Sequence, residues 1–251
     1  MPEAALLGLA LAAYGSAGLA AWRRLAVATL PLVALGLLLH TGALGWRWAV
    51  LGHGPFTTMH EILSSSLWSL ALVAACAAAV SREVRAALPA ALPVLGLLAA
   101  WLLLADAAPG HLPATYATPL LYLHALVGKL YLGLLLVAVA LALHAWRQAD
   151  AARCDELAHR FAAFAFVADS LMLIVGAVWA QDAWGRFWAW DPLESWAFVS
   201  WLALAATLHA RAMLRPAPRG QALALAGCFA LAFLTFFGVP FVSTAPHQGA
   251  L

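Results

Sequence analysis

The sequence predicts an all-α polytopic membrane protein with about eight transmembrane helices and a tryptophan-rich loop facing the non-cytoplasmic side. Three observations carry this expectation. Of 251 residues, 65% are hydrophobic and only 10% are charged, against about 25% charged in a typical soluble domain. So much apolar surface cannot be hidden in a soluble core, so lipid is the solvent for most of it. Apolar runs recur along the chain, each of about the 20 residues that cross a bilayer as a helix. Arginines, finally, concentrate in every second connection between these runs.

Taken in order, the runs lie near 4–22, 26–45, 57–80, 88–106, 119–146, 161–180, 196–214 and 221–241. The first is apolar from Ala4 with no basic segment before it, so it reads as a span rather than a cleaved signal peptide. The breaks are polar, basic or rich in Pro and Gly: Arg23-Arg24, Trp46 to Phe56, Ser81 to Arg85, Ala107 to Thr118, Arg147 to Arg160, Gln181 to Ser195, and Arg215 to Gly220. No soluble domain, linker or internal repeat stands out. Residues 1–251 therefore read as a single integral membrane domain.

Orientation follows from the positive residues. The odd-numbered connections hold Arg23 and Arg24, Arg82 and Arg85, Arg147, Arg153 and Arg160, then Arg211, Arg215 and Arg219. The even-numbered connections hold only Arg47 and Arg186. The first set is expected in the cytoplasm, with both termini outside. The Trp46–Phe56, Ala107–Thr118 and Gln181–Ser195 loops then share the outer face with the tail from Val242.

Several functions are disfavoured. A net charge of +2 without a basic stripe gives no footprint for nucleic acid. Cys76, Cys154 and Cys228 are far apart, which suggests no disulfide framework, zinc site or thiol relay; each reads as a small core residue. No Ser/His/Asp arrangement suggests nucleophilic catalysis.

The most informative stretch runs from Trp179 to Trp201. It holds six of the chain's 12 tryptophans: Trp179, Trp184, Trp188, Trp190, Trp196 and Trp201. An interfacial aromatic belt is one reading. The other is an aromatic floor for a large flat ligand with polar edges. At its end, Asp191 suits a helix cap, Pro192 the first helical position, and Glu194 the capping-box acid.

The segment WGRFWAWDPLESWAFVSW resembles the WWD domain of haem-handling proteins of cytochrome c biogenesis. Within that group it is most similar to the CcsA (ResC) family of System II, and less to the related CcmC and CcmF families. Gly176 to Trp184, Thr207 to Arg211 with His209, and Arg47-Trp48, Gly54-Pro55, Glu61 and Trp68 fit the same pattern. Leu193, Ser195 and His60 depart from the Lys, Thr and Tyr usual there.

The resemblance implies a WWD loop near 179–201 that binds haem b with Trp184, Trp188, Trp190, Asp191 and Trp196. It implies two external axial histidines, met here by His124 and His247. His124 lies at the outer end of the fifth span and His247 in the outer tail. The resemblance also implies an inner haem site at His209, whose second ligand is expected from a CcsB (ResB)-like partner, with His144 as the alternative. Neutral imidazole is a common haem-iron ligand. Arg186 is the expected propionate partner, since a guanidinium can fork two bonds to a carboxylate. Lys129, the only lysine, and Asp169 are open between a propionate contact, a pair and, for Lys129, snorkelling. His40, His53, His60, His111 and His159 carry weaker claims, the last two as solvated loop residues.

The implied function is haem delivery to the outer face, followed by thioether attachment to the CxxCH motif of apocytochrome c. The chain would be the haem-binding component of a holocytochrome c synthase. Its site would be the bacterial cytoplasmic membrane or a thylakoid-type membrane, with lipid around it. The alternatives are a CcmC-type haem exporter or presenter and a b-type electron-transfer subunit.

Overall fold

A computed structural model describes residues 2–23, 25–148 and 152–239. Its regular structure is helical, with no strand among the described residues. The helices are α1 (Pro2–Trp22), α2 (Ala26–Leu51), α3 (Met59–Val80), α4 (Arg82–Ala87), α5 (Leu92–Leu104), α6 (Pro119–Trp146), α7 (Ala152–Trp184), α8 (Pro192–Leu214) and α9 (Pro218–Phe237). A 3-10 turn, Leu88–Ala91, joins α4 to α5. Pro89 and Pro93 each remove a backbone donor there, which suits a local change of helical winding. Counting α4 and α5 as one span, eight spans among the described residues are long and apolar enough to cross a membrane.

Two boundaries differ instructively from the hydropathy reading. The Trp46–Phe56 connection was expected to begin where α2 in fact continues to Leu51. Arg47 stays in the helix because its charge is met inside the protein. Its Nε donates to Glu61 Oε1 at 2.8 Å, and Nη1 donates to Glu3 Oε1 at 3.1 Å and to the Ala107 carbonyl at 3.1 Å. Nη2 donates to the Ala108 carbonyl at 3.3 Å. The other Glu61 oxygen accepts from the Thr57 backbone N–H at 2.9 Å and its hydroxyl at 2.8 Å.

The second difference is α7, which begins well before the expected 161 and ends at Trp184. Its polar first turns stay helical because the ladder satisfies the backbone while charges pair outside it: Arg160 with Glu156, Arg153 with Glu83, and Arg211 with Asp155. His159, expected as a solvated loop residue, therefore lies on α7 with its Nδ1 buried. Cys76, expected in the core, is exposed, whereas Cys154 and Cys228 are buried.

Helix α6 is the centre of the bundle and packs on α7, α9 and α3. In lipid, burial gives little drive between helices, so close packing and interhelical hydrogen bonds carry association. Ala158, Ala162, Ala165 and Ala168 are buried on α7 at one-turn spacing, a small-residue strip that lets backbones approach. Polar ties cross the bundle. Tyr131 of α6 and Ser200 of α8 share a 2.9 Å hydrogen bond, and Trp201 of α8 donates to Ser170 of α7 at 2.8 Å.

One end of the bundle gathers the starts of α1, α3, α6 and α8 and the ends of α2, α5, α7 and α9. Three of the helices that open there carry side-chain caps. Thr58 accepts from the Glu61 N–H, Thr118 from the Leu120 N–H, and Asp191 from the Glu194 N–H. Each cap satisfies a donor that a helix start leaves open, so the loops at this end join fixed helix starts.

Candidate functional site

At this capped end a cavity of about 240 Å³ opens among α3, α6, α7, α8 and α9. Its polar and aromatic wall includes Ser66, His124, Lys129, Trp179, Trp188 and Glu194. A larger cavity of about 490 Å³ lies among α1, α2, α3 and the α4–α5 span, but its wall is almost wholly carbon and holds no histidine. Chemistry therefore points to the smaller one.

His124 is held on several sides. Its Nδ1 lies 3.0 Å from the Met172 carbonyl. A carbonyl only accepts, so Nδ1 is the donor in this contact, which fixes the orientation of the ring. The ring stacks on Trp179, with centroids 6.0 Å apart and planes at 30°. Behind it, a Cβ on Gly176 would stand 2.9 Å from both Cε1 and Nδ1 of the imidazole. Only glycine lets α7 approach the ring this closely.

Trp179 is itself braced. Its Nε1 donates to the Thr115 carbonyl at 3.0 Å, Trp184 packs at 5.0 Å, and Tyr116 meets it edge-on at 5.2 Å. Burial, with the Asp191 carboxylate nearby, pushes the Tyr116 hydroxyl up to about 12. Tyr116 therefore stays a neutral phenol at any physiological pH.

The loop between α7 and α8 is built by backbone chemistry. Gly185, at φ 73°, ends α7, and its N–H bonds the Gln181 carbonyl at 2.9 Å, the left-handed stop that glycine supplies cheaply. Trp190 also has a positive φ, 57°, at a cost of roughly 1–3 kcal/mol for a bulky residue. Two contacts hold it there. Asp191 caps α8, and Glu194 Oε2 reaches past the cap to accept from the Ala189 N–H at 2.7 Å. The capping box expected around Asp191 thus closes two residues further back.

Trp188 starts a second aromatic run, packing against Trp190 at 5.8 Å and Phe198 at 6.3 Å. Phe198 stacks on Trp201 at 5.9 Å and 9°, and Trp201 on Phe166 at 5.2 Å. The Trp188 indole N–H is buried without an acceptor among the described residues. An orphaned donor on a cavity wall is costly unless a ligand supplies the acceptor.

The expected site residues separate accordingly. His124 and Trp188 line the cavity, and Trp184 supports it from behind Trp179. Asp191 holds the loop, while Trp190 (69% exposed) and Trp196 (40% exposed) lie off the cavity wall. Arg186 is exposed and forms no ion pair among the described residues. His209 sits on an exposed face of α8, 15 positions past Glu194 and so about 22 Å along the helix. His144 is half-buried near the end of α6. His247 lies outside the described residues. Lys129, left open by the sequence, lines the cavity together with Gly176 and Glu194.

Fold and cavity together define a polytopic membrane protein that holds a histidine against a tryptophan wall at one end of its helix bundle. The chain belongs to the Cytochrome C assembly protein family, whose sequence pattern it matches over residues 61–247. It is 42% identical over 94 residues to the cytochrome c biogenesis protein CcsA of Prochlorococcus marinus subsp. pastoris, a match covering 38% of this chain and 30% of that protein. CcsA of Guillardia theta is 38% identical over 94 residues, covering 38% of this chain and 31% of that one. The matched segment is thus under a third of each relative's length. A solved structure titled cytochrome c heme lyase CcmF superposes with a TM-score of 0.73 at 19% identity, covering 94% of this chain and 46% of that one. The likeness shows a shared fold.

Proposed function

We propose that this chain acts in cytochrome c biogenesis by binding haem b at the tryptophan-loop end and holding it for covalent attachment to apocytochrome c. The observation that carries the reading is His124: an imidazole oriented through Nδ1 by the Met172 carbonyl, on a cavity wall of tryptophan. That is the donor haem iron takes, and the indoles give the flat apolar contact a macrocycle needs. The Trp188 N–H, without an acceptor among the described residues, suits a polar edge of such a ligand. His247 is the proposed second axial ligand, and His209, on an exposed helix face, the inner ligand completed by a CcsB (ResB)-like partner. The arginine distribution supports placing the cavity on the outer face of a bacterial cytoplasmic or thylakoid-type membrane.

In attachment, each cysteine S–H of CxxCH adds across a haem vinyl. The sulfur bonds one vinyl carbon, the hydrogen goes to the other, and nothing is oxidised or reduced overall. The chain's part is positioning: presenting the haem edge and excluding water. The test is the reduced visible spectrum of the detergent-purified chain beside its His124→Ala and His247→Ala variants. A low-spin b-type spectrum, weakened in both, is expected. Haem retained unchanged by His124→Ala overturns the site.

A further inference from the structure

Lys129 is the chain's only lysine, and it lies ten positions into α6, about 15 Å from the loop end of that helix. That is near half the thickness of a bilayer's hydrocarbon core, roughly 30 Å, too deep for its stem to carry the ammonium to the interface. Its Nζ instead donates to Ser65 Oγ at 2.8 Å and Ser66 Oγ at 2.9 Å, both on α3. Ser65 Oγ also lies 2.7 Å from the Glu61 carbonyl and 2.9 Å from the Pro55 carbonyl. Its one hydrogen goes to these acceptors, leaving a lone pair for Lys129.

The two serines take two of the three ammonium N–H groups, and both are neutral. Among the described residues no carboxylate lies within 4 Å of Nζ. Glu194, on the same cavity wall, accepts from the Ala189 N–H with Oε2 and makes no pair with Lys129 within 4 Å. A cation at this depth is expensive without a counter-charge. A tie between α3 and α6 could be made by a neutral side chain at lower cost. The Lys129 side chain lines the same cavity as His124.

We propose that Lys129 anchors a carboxylate of the cavity's ligand. Resting on the haem reading above, this makes it the partner of a haem propionate. Lys129 lies five positions deeper along α6 than His124, about 7.5 Å. A haem ligated by His124 then enters with its carboxylate edge inward. Its vinyl edge, opposite the propionates on the macrocycle, faces the loop where an incoming thiol must reach it. The orientation departs from the one an Arg186 anchor would give, with carboxylates outward.

The test titrates the detergent-purified chain with ferric haem and with haem dimethyl ester, whose carboxylates are blocked. The native chain is expected to bind haem about tenfold or more tighter than the diester, the size of a charge-assisted hydrogen bond. Lys129→Met should lose that preference while still binding the diester as the native chain does. Lys129→Arg and Arg186→Ala should each keep it. Equal binding of both compounds by the native chain overturns the anchor without any variant. So does a preference that survives Lys129→Met or vanishes with Arg186→Ala. If the native chain binds neither compound, or His124→Ala leaves the bound-haem spectrum unaltered, the haem reading itself fails. A bound haem with no carboxylate preference removes the anchor alone.

Discussion

Two buried polar clusters stand at the same end of this bundle, and they are finished differently. Around Arg47 and Glu61 every strong group is answered: the guanidinium by two carboxylates and two carbonyls, the Glu61 carboxylate by Arg47 and Thr57. Around the cavity the polar groups are only partly answered. Lys129 has two neutral acceptors for three N–H groups, and the Trp188 N–H has no acceptor among the described residues. A closed network locks α1, α2, α3 and the segment after α5 together. An open one is complementary to something that arrives. The contrast separates architecture from site without reference to any relative.

Three substitutions probe the contrast, ordered by effect. Glu61→Ala removes one of the two carboxylates on the buried Arg47 guanidinium and leaves the Thr57 donors unanswered, and should cost about 3 kcal/mol of stability. It would read as a large drop in the unfolding midpoint in detergent, whatever ligand is present. A protein that melts like the native one would deny the closed network its structural role. Gly176→Ala places a methyl 2.9 Å from the His124 ring, and overpacking of this kind costs about 1–3 kcal/mol. Here the cost should fall on the ligand, as about tenfold or more weaker haem binding, with the helical circular dichroism unchanged. Unaltered affinity would mean that His124 does not need its present position.

The smallest effect belongs to Trp188→Phe, which keeps a ring but removes the N–H. Stability should hold or rise slightly, since a buried orphan donor is gone. Haem affinity should fall a few-fold, the net worth of one hydrogen bond, about 0.5–1.5 kcal/mol. A stability loss without an affinity change would make Trp188 part of the architecture instead.

The fold was largely legible because hydropathy in lipid is a one-dimensional signal. The fifth span was expected at 119–146 and α6 occupies those residues. The reading failed where a residue's partner, rather than its own polarity, decides its place. Arg47 looks like a loop residue until Glu61 and Glu3 are beside it. Glu156 and Arg160 look like a break, yet they pair on the surface of a continuing helix. At the site, the sequence presents six tryptophans alike. Folding puts Trp179 and Trp188 on the cavity wall and leaves Trp190 in a left-handed turn, 69% exposed. Gly176 was visible as part of a motif, but its reason is a histidine 52 positions earlier on another helix.

Helix α7 has 33 residues, which makes it about 50 Å long, against a hydrocarbon core of roughly 30 Å. A single hydrogen-bonded rod therefore reaches through the bilayer with length to spare. Near one tip it carries Asp155, paired with Arg211, and toward the other the Met172 carbonyl, Gly176 and Trp179 that seat His124. One unbroken helix therefore carries both the Asp155–Arg211 pair and the residues that seat His124. The length of one helix thus sets how far the histidine's seat stands from the opposite end of the bundle.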